Sequence, residues 1–358
     1  MSAYPETGRE DAAVITSHPL SSPLLKPWQM LFLLLLLILQ FSCSRVSYTT
    51  MGNIEVIDSS LARLIDIKAE PVVIADGFDW CEGPVWIEKE QMLLVSDVPG
   101  NAIYKWTAAK GKELYLQPSG YTGTVPRKGE LGSNGLVLDP QGRLVICQDG
   151  DRRLARMDAP LNAPVAKFIP LAGTYASKKF NSPNDLVYES NGDLLFTDPP
   201  YGLEKNMEDP LKELPYQGVY RVSVSGVVKL LVDSITRPNG IALMPGGRTV
   251  IIANSDPQRP VWYAYDIDSV GAFVHPRIFC DAMEATASAK GMPDGLKIDR
   301  QGNVFATGPG GVWIFNNGGK LLGKIRIPGL ASNCVFSENE KTLYITADDY
   351  VLRLKLRE

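Results

Sequence analysis

Histidine is nearly absent from this chain: its 358 residues include two, His18 and His275. So little imidazole leaves no material for a Ser-His-Asp triad or a His-rich zinc centre. Cysteine gives no metal or redox signature either. Cys43, Cys81, Cys147, Cys280 and Cys334 are widely spaced with no CxxC pair, which removes zinc-ribbon and dithiol chemistry. With Cys43 set aside, the other four read as small buried apolar residues rather than a disulfide framework. Basic residues are not in excess, with 36 Lys and Arg against 40 Asp and Glu and a net charge of −4. A nucleic-acid partner is excluded on that balance, because nothing supplies the basic face it would need. Helical periodicity of useful length is missing as well. Chemistry must therefore come from carboxylates, amides or a metal held by oxygen.

Long hydrophobic runs are also absent, with one short exception. Met30 to Leu39 (MLFLLLLLIL) is unbroken, but a spanning helix needs about twenty such residues. The run fits a signal-peptide core, with Lys26 before it and Ser42-Cys43 after it. Leu39 to Cys43 (LQFSC) resembles a bacterial lipoprotein cleavage box, which implies a lipid on Cys43. Residues 1–43 are thus expected to be a leader. Residues 44–358 are expected to be the exported domain, periplasmic or anchored to the outer face of a membrane by lipid. Removal of the leader would leave His275 as the one histidine, expected on the surface.

The strongest positive signal is internal repetition. A polar residue, usually followed by Gly, opens an apolar strand; a turn and a second apolar strand follow, six times over. The copies begin at CEGPVWIEKEQMLLVSD, GSNGLVLDPQGRLVICQD, SPNDLVYESNGDLLFTD, RPNGIALMPGGRTVIIAN, MPDGLKIDRQGNVFATG and ASNCVFSENEKTLYITA. Their spacing of about fifty residues, with three or four strands each, is that of propeller blades. The expected fold is all-β, a six-bladed β-propeller with a divalent metal in its central channel. The apolar run Pro71 to Ala75 (PVVIA) is left to close the ring by joining the last blade.

Six anchors, Glu82, Asn134, Asn184, Asn239, Asp294 and Asn333, occupy the repeated polar position. In a propeller they converge on one mouth of the channel. The antiparallel return brings Asp97, Asp149, Asp198 and Ser255-Asp256 to the rim around them. Two carboxylates and four amides suit a hard divalent cation, best Ca²⁺; Mg²⁺ and Mn²⁺ fit the same oxygens, and Zn²⁺ would lack its usual donors. Asn-Gly and Asp-Gly pairs also form turns, but turn chemistry alone does not select Glu, Asn and Asp at one position. The insertions Ser119 to Ser133 and Tyr201 to Gln217 are expected to project from this face. Their Arg127, Lys128 and Lys205 are positioned in sequence to steer an anionic ligand.

The segments EGPVW, SPNDLVYESNGDLLFTDPPYG, RPNGIALMPGG and MPDGLKIDRQGNVFATGPGGVWIF resemble the bacterial gluconolactonase branch of the SMP-30/gluconolactonase/luciferin-regenerating enzyme family. The resemblance runs from about Phe78 to Leu356. It implies a lactonase with one catalytic divalent metal on Glu82, Asn184, Asn239 and Asp294, and Asp294 as general base. Asn134, Asp149, Asp198 and Asn333 are then expected to contact a sugar lactone. Two positions depart from relatives. Ser182 stands where animal members carry a sugar-contacting Arg, and Asp149 stands where many bacterial members carry a His. Hydrolysis of another ester or phosphotriester, or a non-catalytic exported module stabilised by calcium, are the alternatives.

Overall fold

The computed structural model describes residues 49–337 and 339–357. The leader, Cys43 and His18 lie outside these residues. Among the described residues no helix is long and apolar enough to cross a membrane.

Six antiparallel sheets form a ring. Their innermost strands are Cys81–Ile87, Ser133–Leu138, Leu186–Tyr188, Pro238–Leu243, Leu296–Ile298 and Ala331–Phe336. Each packs against the next, and the sixth returns to the first. The chain is thus an all-β, six-bladed propeller. The segment before the first blade supplies the closure: Val72–Asp76 pairs antiparallel with Tyr350–Lys355 as the outer strand of blade six. A second early strand, Asn53–Val56, was not foreseen. It adds a fifth strand to blade five by pairing with Leu321–Arg326.

Strand burial follows from the ring. The second strand of each blade has a neighbouring sheet on both faces, so Met92–Asp97, Leu144–Gln148, Leu194–Asp198 and Val304–Gly308 are buried at every position. These strands read as continuous apolar runs because neither face meets water. Aromatic pairs fill the wedges between blades: Trp262 lies 5.4 Å from Trp313, and Trp86 stacks on Tyr344 at 5.1 Å. Trp106, Trp262 and Trp313 are buried, and Trp86 is half-buried. Cys81, Cys147 and Cys334 are buried free thiols, and Cys280 is half-buried and also free. His275 is exposed on an outer strand and faces Asp266 at 3.3 Å.

The blades are stitched together beside the channel. Ser96 donates to the Asn134 carbonyl at 2.8 Å, and the Gly135 N–H to the Asn184 carbonyl at 2.7 Å. Thr197 donates to the Asn239 carbonyl at 2.7 Å and Ser255 to the Pro293 carbonyl at 2.6 Å. Thr307 reaches the Ser332 carbonyl at 2.9 Å, and Ser332 donates to the Cys81 carbonyl at 2.7 Å. Each of the six blade interfaces thus carries at least one such bond at the level of the anchors. The glycine after an anchor permits this approach. A Cβ on Gly83 would stand 1.9 Å from the Asn134 carbonyl oxygen, and one on Gly295 would stand 2.0 Å from the Asn333 side chain. Gly83 also has a left-handed φ of 51°, so it answers both demands, whereas Gly295 serves inter-blade contact alone.

Ser332 seals the ring between the last blade and the first. Ser332→Ala leaves the buried Cys81 carbonyl without that donor and should cost about 1–3 kcal/mol. Urea denaturation should show a lowered midpoint with an unchanged slope; an unchanged midpoint would deny Ser332 that role.

Candidate functional site

The six anchors do converge on one mouth, at or just before the start of each inner strand. Glu82, Asn134, Asn184, Asn239 and Asn333 are buried, and Asp294 is half-buried with its Oδ1 atom fully covered. Local bonds distinguish their roles. Glu82 accepts the Gly83 N–H through Oε2 at 3.1 Å. The Asn239 amide Nδ2 donates to Ser255 Oγ at 3.0 Å. Asp294 Oδ1 has no hydrogen-bond partner.

The rim residues divide. Asp97 accepts the backbone N–H groups of Asp79 and Trp80, and Asp198 accepts those of Asn181 and Ser182, each of the latter at 2.8 Å. Both carboxylates brace the loop that leads into their own inner strand. Asn254 and Asp348 do the same for Arg237 and Leu330. Asp198, expected as a substrate contact, thus has both oxygens engaged within the fold. Asp149 behaves differently. It is fully buried, neither oxygen has a hydrogen bond of normal geometry, and the Asn134 amide is the neighbour that eases its charge. It lies one residue beyond Gln148, which pairs with Ser133 at the end of the strand.

Asn333, also expected at the substrate, is committed too. Its Oδ1 accepts the Cys334 N–H at 2.9 Å and faces Lys297 Nζ at 3.4 Å, and its amide supports Glu82 and Asp185. Asp185 and Lys297 were missed from sequence. Lys297 Nζ lies 3.9 Å from Asp185 Oδ2, an ion pair set into the channel lining. Both break their columns in the repeat. Asp185 follows its anchor where four blades have Gly, and Lys297 stands where other blades have Val, Ala or Phe. A charge in an otherwise apolar column was the available signal.

The two insertions reach the site. Tyr201 and Glu130 are half-buried, and both interact electrostatically with Asp294. Nothing in the strand periodicity could have singled them out, because they lie in irregular loops. Arg127, expected to steer a ligand, instead donates to the Gly150 carbonyl at 2.7 Å and the Gly202 carbonyl at 3.1 Å. It fastens one insertion to the other. Lys128 and Lys205 are exposed. Ser182 accepts the Gly202 N–H at 2.7 Å, so the second insertion docks where animal relatives carry their Arg.

Charge at the mouth is strongly one-sided. Burial, then Asp185 and Glu130 nearby, pushes Glu82 up to about 8; burial pushes Glu130 to about 7. Burial, reinforced by neighbouring acids, pushes Asp149 and Asp294 well above the carboxylate range. Among the described residues no three His, Cys, Asp or Glu stand together as a metal cluster. The expected set has two carboxylates and two amides, so it does not depend on such a cluster. An unpartnered buried carboxylate oxygen, mutually repelling acids and an oxygen-only donor set are what a hard divalent cation would relieve.

Fold and site together define a propeller with an acidic, amide-lined channel mouth under two fastened loops. The chain matches the model of the SMP-30/Gluconolactonase/LRE-like region over residues 80–349 and belongs to that family. It is 36% identical over 325 residues to a gluconolactonase of Zymomonas mobilis, covering 89% of this chain and 90% of the relative. A solved gluconolactonase from Xanthomonas campestris is 29% identical with a TM-score of 0.73, covering 87% of this chain and 99% of that one. A regucalcin from Agrobacterium tumefaciens shares the fold at 16% identity, with a TM-score of 0.62 over 80% of this chain and 94% of its own.

Two predictions follow from the electrostatics. Glu82 and Glu130 have raised values in the folded protein, so their contribution is full below about pH 4.5 and is lost as pH rises towards about 8. In chelator, the urea midpoint should fall between about pH 5.5 and about pH 8.5; a rise would contradict the assigned burial. Lys297→Met strands the buried Asp185 carboxylate and should cost about 3 kcal/mol by urea denaturation. Adding Asp185→Asn should recover much of that loss, and no recovery would mean the pair is not coupled.

Proposed function

We propose that this chain is a divalent-cation-dependent hydrolase that opens a sugar lactone. Ca²⁺ is the first candidate, with Glu82, Asn184, Asn239 and Asp294 as the residues that would hold it. The observation that carries this reading is the buried, unpartnered Oδ1 of Asp294 among repelling acids at the channel mouth. Family membership and the identity to the Zymomonas gluconolactonase over most of the chain support the substrate class.

A cation bound there supplies Lewis-acid polarisation of the lactone carbonyl. The rest is the work of the chain. Asp294, ionised, takes at Oδ1 a proton from the water that adds to the carbonyl carbon. It returns that proton to the ring oxygen as the acyl C–O bond breaks, leaving a hydroxyl and a carboxylic acid. Without the cation, burial and the neighbouring acids hold the Asp294 carboxyl high. Asp149 and the Asn134 amide beside it are the proposed sugar contacts, and both are buried at the mouth. Asn333 and Asp198 act through the framework rather than on the sugar. Tyr201 and Glu130 cover the mouth and limit the entry of bulk water.

Purified protein should release acid from an aldonolactone, lose the activity in EDTA and regain it with Ca²⁺. Asp294→Asn should lower kcat by about 10²–10⁴-fold. Full activity in that variant would remove Asp294 from the chemistry. Faster turnover of a phosphotriester or a simple ester than of every lactone tried would overturn the substrate class. Calorimetric binding of lactone without turnover would indicate a binding module.

A further inference from the structure

Blade four departs from the stitching pattern in a way that bears on the site. In blades one, three and five the bridging hydroxyl belongs to Ser96, Thr197 and Thr307, within the second strand. The matching residue of blade four is Ala253, which has no hydroxyl. Its bridge comes from Ser255, beyond the end of the strand Thr249–Asn254 and two residues nearer the mouth. From there Ser255 touches a side chain the other bridges do not reach, the Asn239 amide.

Three groups meet the Ser255 hydroxyl: the Pro293 carbonyl, the Asn239 amide and the Tyr201 phenol. A serine hydroxyl has one proton and two lone pairs. The Pro293 carbonyl, 2.6 Å away, can only accept, so the proton lies on that contact. What Ser255 offers to Asn239 is therefore a lone pair, which requires the amide nitrogen at the 3.0 Å contact. Amide orientation is set by the network around it, and this network admits one choice. Oδ1 of Asn239 is left free to ligate. The carbonyl that fixes the proton belongs to Pro293, the residue immediately before Asp294. One hydroxyl thus controls the amide from blade four and the backbone that carries the carboxylate from blade five.

We propose that Ser255 is a positioning residue that pre-forms the cation site, holding the Asn239 amide oxygen and the Asp294 backbone in ligating arrangement before the cation arrives. This rests on the metal reading above and adds to it a group outside the ligand set. Groups that orient metal ligands typically govern affinity by about 10–100-fold.

The test is calorimetric titration of Ca²⁺ into chelator-stripped protein. Ser255→Ala should weaken binding by about 10–100-fold, and Ser255→Thr, which keeps the hydroxyl, should bind like the wild type. Ser255→Cys preserves bulk with a poor donor and should weaken binding as well, which covers the case in which the alanine variant does not fold. Because Ser255 acts through Asn239, the Asn239→Ala and Ser255→Ala effects should not add in the double variant. Wild-type binding with unchanged Ser255→Ala affinity, or full additivity, would overturn the role of Ser255 while leaving the metal reading intact. A wild-type protein that binds none of Ca²⁺, Mg²⁺ or Mn²⁺ would overturn both.

Discussion

The close approach of the six inner strands is the constraint on which the molecule depends. At the level of the anchors, each blade contacts the next through a hydrogen bond to a backbone carbonyl, and several of the bonds end on an anchor's own carbonyl. Such contacts are short because the residue after most anchors is glycine. Where a Cβ would clash with the neighbouring strand, as at Gly83, the ring has no other residue to use. The same contacts that close the ring also fix the backbone beneath Glu82, Asn184, Asn239 and Asp294. Stability and site geometry therefore have one source, and the outer strands are free to vary around it, as the fifth strand of blade five illustrates.

That geometry has an electrostatic cost. Drawing the anchors into one mouth puts Glu82 and Asp294 close to Asp185 and Glu130 in a poorly hydrated space, where burial and those acids raise both, and Glu130 and Glu82 raise Asp149. Lys297 answers part of this within the channel lining, by its contact with Asp185. Among the described residues the remaining acids have no ion pair of the kind Lys297 makes with Asp185. A ring that tolerates such a concentration of buried carboxylate is adapted to a cation or to a proton-dependent state. Arg127 could have neutralised the mouth from above, but it is spent on two loop carbonyls. The loops gain rigidity, and the mouth stays acidic.

Much of this was legible in the chain. The fifty-residue repeat, the anchor column and the closing run near Val72 follow from periodicity, because every blade must present the same apolar faces to its neighbours. The family resemblance lies in those same segments. Roles within the rim were less accessible. Asp97, Asp149 and Asp198 look alike in sequence, each an Asp at the end of a second strand. What separates them is which backbone N–H groups reach each carboxylate: two at Asp97, two at Asp198 and none at Asp149. Asn333 looked like its fellow anchors, yet a lysine on the neighbouring inner strand claims its oxygen.

The sequence by itself determined the architecture, the oxygen-rich character of the site and the exclusion of imidazole and thiol chemistry. These depend on residue type and spacing, which a linear pattern carries in full. Tertiary structure alone decided which polar groups are left unsatisfied: Asp149 and Asp294 rather than Asp198 and Asn333. It also decided that Glu130 and Tyr201 come within electrostatic reach of Asp294 and that Ser255 links two blades. Whether a buried polar atom is free depends on which donors reach it from other blades. That is a property of the closed ring and not of any one repeat.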